Sequence, residues 1–162
     1  MGRNAKKIMR NEACINFLTN CFCNSLCAWL LHRGALSVPM DFWNVLIDTF
    51  LTSYFVALCT TGFCSLSGRR YLASGVFLPK EPDGSLISDL PGRPLLMGLT
   101  LAGCGVLVWI PVFGGFFTAA GITALPVWQF ILFKGIWGGV FGMLVCIAVL
   151  NRCRFDIRRG GR

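Results

Sequence analysis

Long apolar segments separated by short breaks dominate the pattern along this chain. Four such segments, at residues 13–31, 42–63, 94–113 and 127–150, are each close to the ~20 residues that a helix needs to cross a bilayer. Glycine and proline occur in the breaks between them, as is typical of turns and connections. The pattern predicts an all-α, polytopic membrane protein with four transmembrane helices.

The expected helix ends follow from local breaking signals. Residues 1–12 read as a short basic tail before the first helix. Ser67-Gly68-Arg69-Arg70 is expected to end the second helix, and Pro111 to kink or end the third, because proline lacks the N–H that an α-helix uses. Residues 34–41 are expected to form a short external turn, and residues 114–126 an apolar connection at the membrane surface.

Composition strengthens the membrane interpretation. Of 162 residues, 55% are hydrophobic and 14% are charged, whereas ordinary globular chains carry roughly 25% charged residues. This deficit favours a membrane protein over a soluble domain.

Positive charge is distributed unevenly, and the distribution predicts a topology. Basic residues cluster before the first segment, between the second and third, and after the fourth, whereas the other two connections carry only Arg33. The clusters are Arg3, Lys6, Lys7 and Arg10; Arg69, Arg70, Lys80 and Arg93; and Arg152, Arg154, Arg158, Arg159 and Arg162. Since cytoplasmic loops retain basic residues, both termini are expected in the cytoplasm. The net charge of +8 then reflects contact with the lipid bilayer, not with nucleic acid.

Two charged residues stand inside apolar segments, Asp48 in the second and Lys134 in the fourth. An ionisable group in hydrocarbon is costly, so it usually faces the bundle interior and finds a partner. Each follows a tryptophan and an amide, in Trp43-Asn44 and Trp128-Gln129. We therefore expect the two at similar depth, in the outer part of the membrane, where they can form an ion pair.

Amides add to this polar set. Asn16, Asn20 and Asn24 recur at steps of four and share one helical face, which should look into the bundle because amides facing lipid are costly. The predicted intramembrane polar site comprises Asp48, Lys134, Asn44, Asn16, Asn20, Asn24 and Gln129. Two interpretations stay open. The polar groups either hold the helices in register through hydrogen bonds and an ion pair, or they line a path on which Asp48 binds a proton or cation.

The fourth segment has a glycine-rich face. Gly135, Gly138, Gly139 and Gly142 supply two overlapping Gly-x-x-x-Gly spacings, which in apolar helices mark tight helix–helix contact. The contact is expected either within the protein, or with a second copy of the chain or another membrane protein.

The chain looks duplicated. Trp43 and Trp128 lie 85 positions apart, as do Arg69 and Arg154. This divides the chain into a first transmembrane hairpin at 1–78, a cytoplasmic linker at 79–93, and a second hairpin with a basic tail at 94–162. Both hairpins enter from the same side, so the pattern indicates parallel repeats about an axis along the membrane normal.

With these hairpins, the Trp43 and Trp128 starts and the basic ends, nearly the whole chain resembles a family of small bacterial integral membrane proteins. The domain of that family is a two-helix hairpin of unknown function that is often present twice. The resemblance implies a location in the bacterial plasma (inner) membrane. The family has no assigned activity, so the resemblance implies no catalytic residue.

Enzymatic chemistry has no signature in the sequence. The chain shows no nucleophile–base arrangement, no phosphate-binding loop and no metal motif, so no catalytic residue, cofactor or metal site is predicted. Cys21 and Cys23 point about 200° apart on a helix, which makes thiol-based metal or redox handling a minor alternative. The predicted function is that of a non-enzymatic structural or accessory protein, with a solute, proton or cation transporter centred on Asp48 as the alternative.

Overall fold

The structure, a computed structural model, describes residues 3–155. The elements in chain order are α1 (Arg3–His32), β1 (Ser37–Pro39), α2 (Phe42–Ala73), α3 (Leu86–Asp89), α4 (Pro94–Ala119), β2 (Ala124–Pro126) and α5 (Val127–Cys153). Helices α1, α2, α4 and α5 are long and apolar enough to cross a membrane. The prediction of an all-α fold with four such helices is confirmed.

The helices extend beyond three of the predicted ends, because tertiary packing continues them. Of the two alternatives at Pro111, a kink or an end, the structure excludes the end. Helix α1 includes most of the predicted basic tail, where Ala5 is buried in the core. Helix α2 continues through Gly68, because a Cβ at that position would lie 2.8 Å from Cys153 Sγ and the missing side chain lets α5 approach. Helix α4 passes Pro111 and continues to Ala119, which buries Phe117.

The start of α2 is fixed by a capping residue. Asp41 accepts a 3.0 Å hydrogen bond from the Asn44 backbone N–H.

The four long helices pack in an order that differs from their order in the chain. Helix α1 packs along α5, α4 packs along α2, and α2 and α5 lie side by side in the middle. Helices that are adjacent in the chain, α1 with α2 and α4 with α5, contact each other only slightly. The helices of the first predicted hairpin, α1 and α2, therefore contact mainly those of the second, α4 and α5. Within each hairpin a gap separates the two helices.

Polar groups lie inside the bundle and apolar groups outside. Ten polar or charged side chains of the described residues are buried, among them Asn20, Asn24, Thr52 and Lys134. Large apolar side chains such as Leu18, Phe63 and Leu107 are exposed on the helix surfaces. This arrangement suits a protein surrounded by lipid, in which polar groups need partners and apolar ones do not.

The core has two parts at opposite ends of the bundle. One lies at the end where the two strands are found, here called the strand end, and includes Ala28, Val45, Phe113 and Phe130. The other lies at the opposite end, called the loop end. Eight of its members are at most 2% exposed: Val56, Ala57, Cys64, Phe77, Val145, Cys146, Val149 and Leu150.

The two strand-end connections pair with each other, which the sequence did not predict. Strands β1 and β2 are antiparallel, with Ser37 opposite Pro126, Val38 opposite Leu125 and Pro39 opposite Ala124. Because α2 and α5 begin directly after these strands, the pairing sets their first turns side by side. Because Asp48 and Lys134 lie at similar distances from these helix starts, the strand pairing places them at similar depth in the bundle.

The 79–93 linker is attached to the loop end by hydrogen bonds to α5 and to the residue after it. The Lys80 backbone N–H donates to the Arg154 carbonyl oxygen at 2.9 Å, and Arg152 Nε donates to the Leu90 carbonyl oxygen at 2.6 Å. Within the linker, a hydrogen bond from the Lys80 side chain holds the pKa of Asp83 well below its ordinary value.

A matched pair of glycine substitutions tests the α1–α5 packing. A Cβ at Gly139 would lie 2.9 Å from the Phe17 carbonyl oxygen, whereas a Cβ at Gly103 would meet nothing within 4 Å. We expect Gly139→Ala to lower the free energy of unfolding by about 1–3 kcal/mol through overpacking against backbone. We expect Gly103→Ala to be neutral or to stabilise, by up to about 1 kcal/mol, through helix propensity. Unfolding in detergent, followed by circular dichroism, measures both; equal effects would contradict the described contact.

Candidate functional site: an ion pair beside a cleft

Lys134 and Asp48 form an ion pair between the two central helices. Lys134 Nζ donates to Asp48 Oδ1 and Oδ2, at 2.7 Å each, and also to Thr52 Oγ1. These three acceptors match the three donors of an ammonium group. The Nζ also lies 5.2 Å from the ring centroid of Trp137 and 6.0 Å from that of Phe130, within the range of cation–π attraction.

Helical spacing explains how these groups meet. Asp48 and Thr52 are four residues apart and therefore lie on one face of α2. Phe130, Lys134 and Trp137 occupy one face of α5 at spacings of four and three. The side chain of Lys134 is 6% exposed, whereas that of Asp48 is 31% exposed. The ammonium is thus enclosed by protein, and the carboxylate faces an opening.

That opening is the gap between α1 and α2, which we call the α1–α2 cleft. It has a volume of about 280 Å³, and its walls include Asn24, Leu31, Leu51 and Phe55, with Asp48, Thr52 and Lys134 at its floor. A second cavity of about 190 Å³ lies between α2 and the strand-end parts of α4 and α5. Both cavities are lined by Asp48 and His32, so the carboxylate is shared between them.

The cleft does not extend into the loop-end half among the described residues. Beyond Thr52 and Phe55, Asn20 of α1 donates a hydrogen bond to Thr60 Oγ1 of α2 at 3.3 Å. The central helices meet there through Val56, Ala57 and Val145, which are at most 2% exposed. The polar site is therefore accessible from the strand-end half and closed towards the loop end.

The three asparagines of α1 form a ladder along its inner face. Each Nδ2 donates to the carbonyl oxygen four residues earlier: Asn16 to Glu12 at 3.0 Å, Asn20 to Asn16 at 2.9 Å and Asn24 to Asn20 at 2.8 Å. Two also reach other helices, Asn20 to Thr60 Oγ1 at 3.3 Å and Asn16 to Cys146 Sγ at 3.4 Å. Only Asn24 also lines the cleft, so Asn16 and Asn20 serve interhelical contact in this structure.

The glycine-rich face of α5 lies against α1. A Cβ at Gly138 would lie 2.4 Å from Asn24 Nδ2, and one at Gly142 would lie 2.3 Å from Asn20 Nδ2. A Cβ at Gly135 would likewise meet Ser25, and one at Gly139 would meet Phe17. Of the two alternatives that the sequence leaves open, the structure has the contact within the protein; a second chain on this face would have to displace α1.

Two members of the predicted polar set lie apart from the ion pair. Asn44 is exposed and bonded to Asp41 at the start of α2, where hydrogen bonds from its backbone N–H, and then from its side chain, lower the pKa of Asp41. Asn44 does line the second cavity. Gln129 is half-buried in the first turn of α5 and lines neither cavity.

Sequence reasoning missed the aromatic members of the site. Phe130 and Trp137 flank the ammonium, and His32 lies at the cleft, with its ring 5.1 Å from that of Phe130. In the sequence, Phe130 lies four residues before Lys134 and Trp137 lies three after it. These spacings are common in apolar helices, so they do not identify a site by themselves.

Cysteine chemistry has no evident centre in this fold. The described part of the chain contains no disulfide bond and no group of three His, Cys, Asp or Glu side chains that could hold a metal ion.

Comparison of the chain with protein-family models, curated proteins and solved structures found no match. The ion pair and its cleft are therefore the features of the molecule that bear on its function.

A double-mutant cycle tests whether the ion pair is energetically coupled. Asp48→Asn leaves an enclosed ammonium without its counter-charge, so we expect it to lower the free energy of unfolding by about 3–5 kcal/mol. Lys134→Met should lower the free energy of unfolding by less, because the carboxylate that it leaves unpaired, Asp48, is partly exposed. The double variant should be more stable than Asp48→Asn alone. Unfolding in mixed detergent measures all four proteins. Additive effects, within about 0.5 kcal/mol, would show that the two residues act independently.

Proposed function

We propose that this chain is a non-enzymatic, multi-pass protein of the bacterial plasma membrane that binds and transports a small solute, a proton or a cation through Asp48. One observation carries the proposal. The carboxylate is 31% exposed at the floor of a cleft that is open in one half of the bundle and closed in the other. An ionisable residue placed so inside a membrane is expected to serve a solute path or a proton relay.

The unused bonding capacity of Asp48 supports this role. A carboxylate has about four lone-pair sites, and Lys134 Nζ occupies one site on each oxygen. The carboxylate also lines the α1–α2 cleft, so a ligand in the cleft can reach it. A purely structural pair gains most when both partners are enclosed and fully bonded, which describes Lys134 and does not describe Asp48.

Binding at Asp48 has a direct consequence for the helices. A proton or cation there competes with Lys134, whose remaining partners are Thr52 Oγ1 and the two rings. Weakening the ion pair weakens the contact between α2 and α5 at the strand end. A two-state carrier needs a coupling of this kind, in which ligand binding changes the relative stability of two helix arrangements.

Charge distribution supports an orientation with the cleft facing outwards. Of the basic residues in the described range, ten lie at the loop end, in the first turns of α1, the last turns of α2 and α5, and the linker, whereas Arg33 lies at the strand end. Under the positive-inside rule the loop end is cytoplasmic, and so are both termini.

Three features support a tandem duplication of a two-helix unit, as in the small bacterial family that the chain resembles. In the strand pair, Pro39 faces Ala124, the residue 85 positions later. At the loop end, Gly68 lies against Cys153, again 85 positions later. Helix α1 packs on α5 as α4 packs on α2. Such pairings arise between equivalent positions when two parallel repeats surround a common axis.

A second candidate function, that of a structural or accessory protein, is favoured by a different observation. All three donors of Lys134 are occupied by protein groups, and the loop-end core is sealed. In that case the ion pair fixes the register of α2 against α5, and the exposed helix faces serve lipid or a membrane-protein partner.

Flux measurements with a matched carboxylate control separate the two functions. We expect purified protein in liposomes to carry protons or monovalent cations under an imposed gradient, measured with a pH-sensitive dye or by tracer uptake. Asp48→Asn should reduce the flux at least tenfold. Asp41→Asn should leave it unchanged, because asparagine caps a helix as well as aspartate does. Flux equal to that of protein-free liposomes for all three would reject transport and leave the accessory function.

A further inference from the structure

Corresponding gaps in the two halves of the chain are filled differently. Between α4 and α5, aromatic rings close the space: Phe113 packs edge-to-face on Phe133 and Trp137, with centroid separations of 4.9 and 5.2 Å. Trp109 stacks on Phe113 at 5.3 Å, and Phe117 meets Phe133 at 5.4 Å. These rings pack on one another between α4 and α5, and Phe113, Phe117 and Phe133 also line the second, smaller cavity of about 190 Å³.

The α1–α2 cleft has polar groups where the other gap has aromatic ones. The positions 85 residues before Phe133 and Trp137 are Asp48 and Thr52. A carboxylate and a hydroxyl thus replace two large rings, and a cavity of about 280 Å³ is left beside them. This approaches the lower end of the volumes that small-molecule sites occupy, ~300–1,000 Å³.

The cleft opens sideways, towards the surface that lipid covers. Its rim is formed by Leu31, Leu51 and Phe55, whose side chains are 79%, 62% and 55% exposed. Phe55 and Phe130 also line the cleft, and aromatic rings attract organic cations. An apolar entrance, aromatic walls and a carboxylate at the floor together fit a cation with apolar substituents, which partitions into the bilayer before it binds.

We propose that the α1–α2 cleft binds a lipophilic monovalent organic cation at Asp48, and that this binding releases one proton from Lys134. The proposal rests on the role of Asp48 in the proposed function and names its substrate class. The exchange balances: the Lys134 ammonium loses one proton and becomes a neutral amine, while the incoming cation takes its place as counter-charge to Asp48. The net charge of the site is zero before and after.

Electroneutrality is the reason for the coupling. Two cations beside one carboxylate would leave an uncompensated positive charge among apolar groups, which is strongly unfavourable. The titratable groups that face Asp48 are few. Helix α1 brings His32 and Cys27, and α5 brings Lys134. Helix α4 brings only Phe113 and Phe117, and Asp41, at the start of α2, is bonded to Asn44. Lys134 is the cation in contact with Asp48, and His32 and Cys27 are the other titratable groups at the cleft wall.

Calorimetry on the full chain in detergent tests the proposal, with benzyltrimethylammonium as the probe and neopentylbenzene as its uncharged isostere. Titrations in buffers of different ionisation enthalpy count the protons released. We expect one cation to bind and one proton to leave, with the apparent affinity rising about tenfold for each unit of pH, as one-proton linkage requires. The isostere should release none. Absence of proton release on binding, or equal binding of the isostere, would overturn the proposal.

Variants identify the groups involved. Asp48→Asn should abolish binding. Lys134→Met should bind the cation without proton release and without pH dependence, whereas His32→Gln should release the proton as the native chain does. Because Asp48→Asn and Lys134→Met also alter stability, Leu51→Trp serves as a second route: it fills the rim, leaves the ion pair intact, and should lose binding while the thermal unfolding temperature is retained. Unchanged binding in both Asp48→Asn and Leu51→Trp would place the cation elsewhere.

The outcome is separable from that of the flux assay. Proton flux that depends on Asp48, without binding of the organic cation, would reject this substrate class and keep the transport function. Binding with proton release, without any flux, would keep the site and reject transport.

Discussion

The ion pair between Asp48 and Lys134 constrains the rest of the bundle. Neither charge is stable alone between apolar helices, so α2 and α5 must lie side by side with these residues level. The strand pairing at one end and the contact of Gly68 with Cys153 at the other hold the same register over the whole length of both helices. Because α2 and α5 occupy the centre, α1 and α4 are left to flank them.

The cleft follows from how α1 is bound. The asparagine side chains of α1 pack against glycines of α5, Asn24 against Gly138 and Asn20 against Gly142. The face of α1 that carries the hydrogen-bonded amides is therefore also the face that approaches α5 closely. At the loop end α1 also reaches α2, through the hydrogen bond from Asn20 to Thr60 Oγ1, but along most of its length it follows α5. The gap between α1 and α2 at the strand end is thus a consequence of the glycine face, and Asp48 lies at its floor because its partner is on α5.

Periodicity predicted the faces of the helices well and their neighbours poorly. The four-residue steps of Asn16, Asn20 and Asn24 identify an inward face whatever helix it meets, but nothing in them selects α5 over α2. Asn44 and Gln129 each follow a tryptophan, but the two amides have different directions relative to the charged residue of their helix. Asn44 is four residues before Asp48 and shares its face, whereas Gln129 is five before Lys134, a rotation of about 500° that leaves the two ~140° apart. Helix ends at Gly68 and Pro111 depend on contacts with distant segments, which local breaking signals do not report.

The second half of the chain bears on why the ion pair is present at all. Replacing a buried ion pair by well-packed apolar groups is often neutral or stabilising, and this chain does fill a comparable gap, with Phe133 and Trp137 packed on Phe113. Aromatic packing at positions 48 and 52 would therefore hold α2 in place without desolvating any charge. The structure instead has a half-open carboxylate and a cavity there. Stability alone does not require that arrangement, whereas binding of a charged ligand does, since only an incompletely covered charge can exchange its partner.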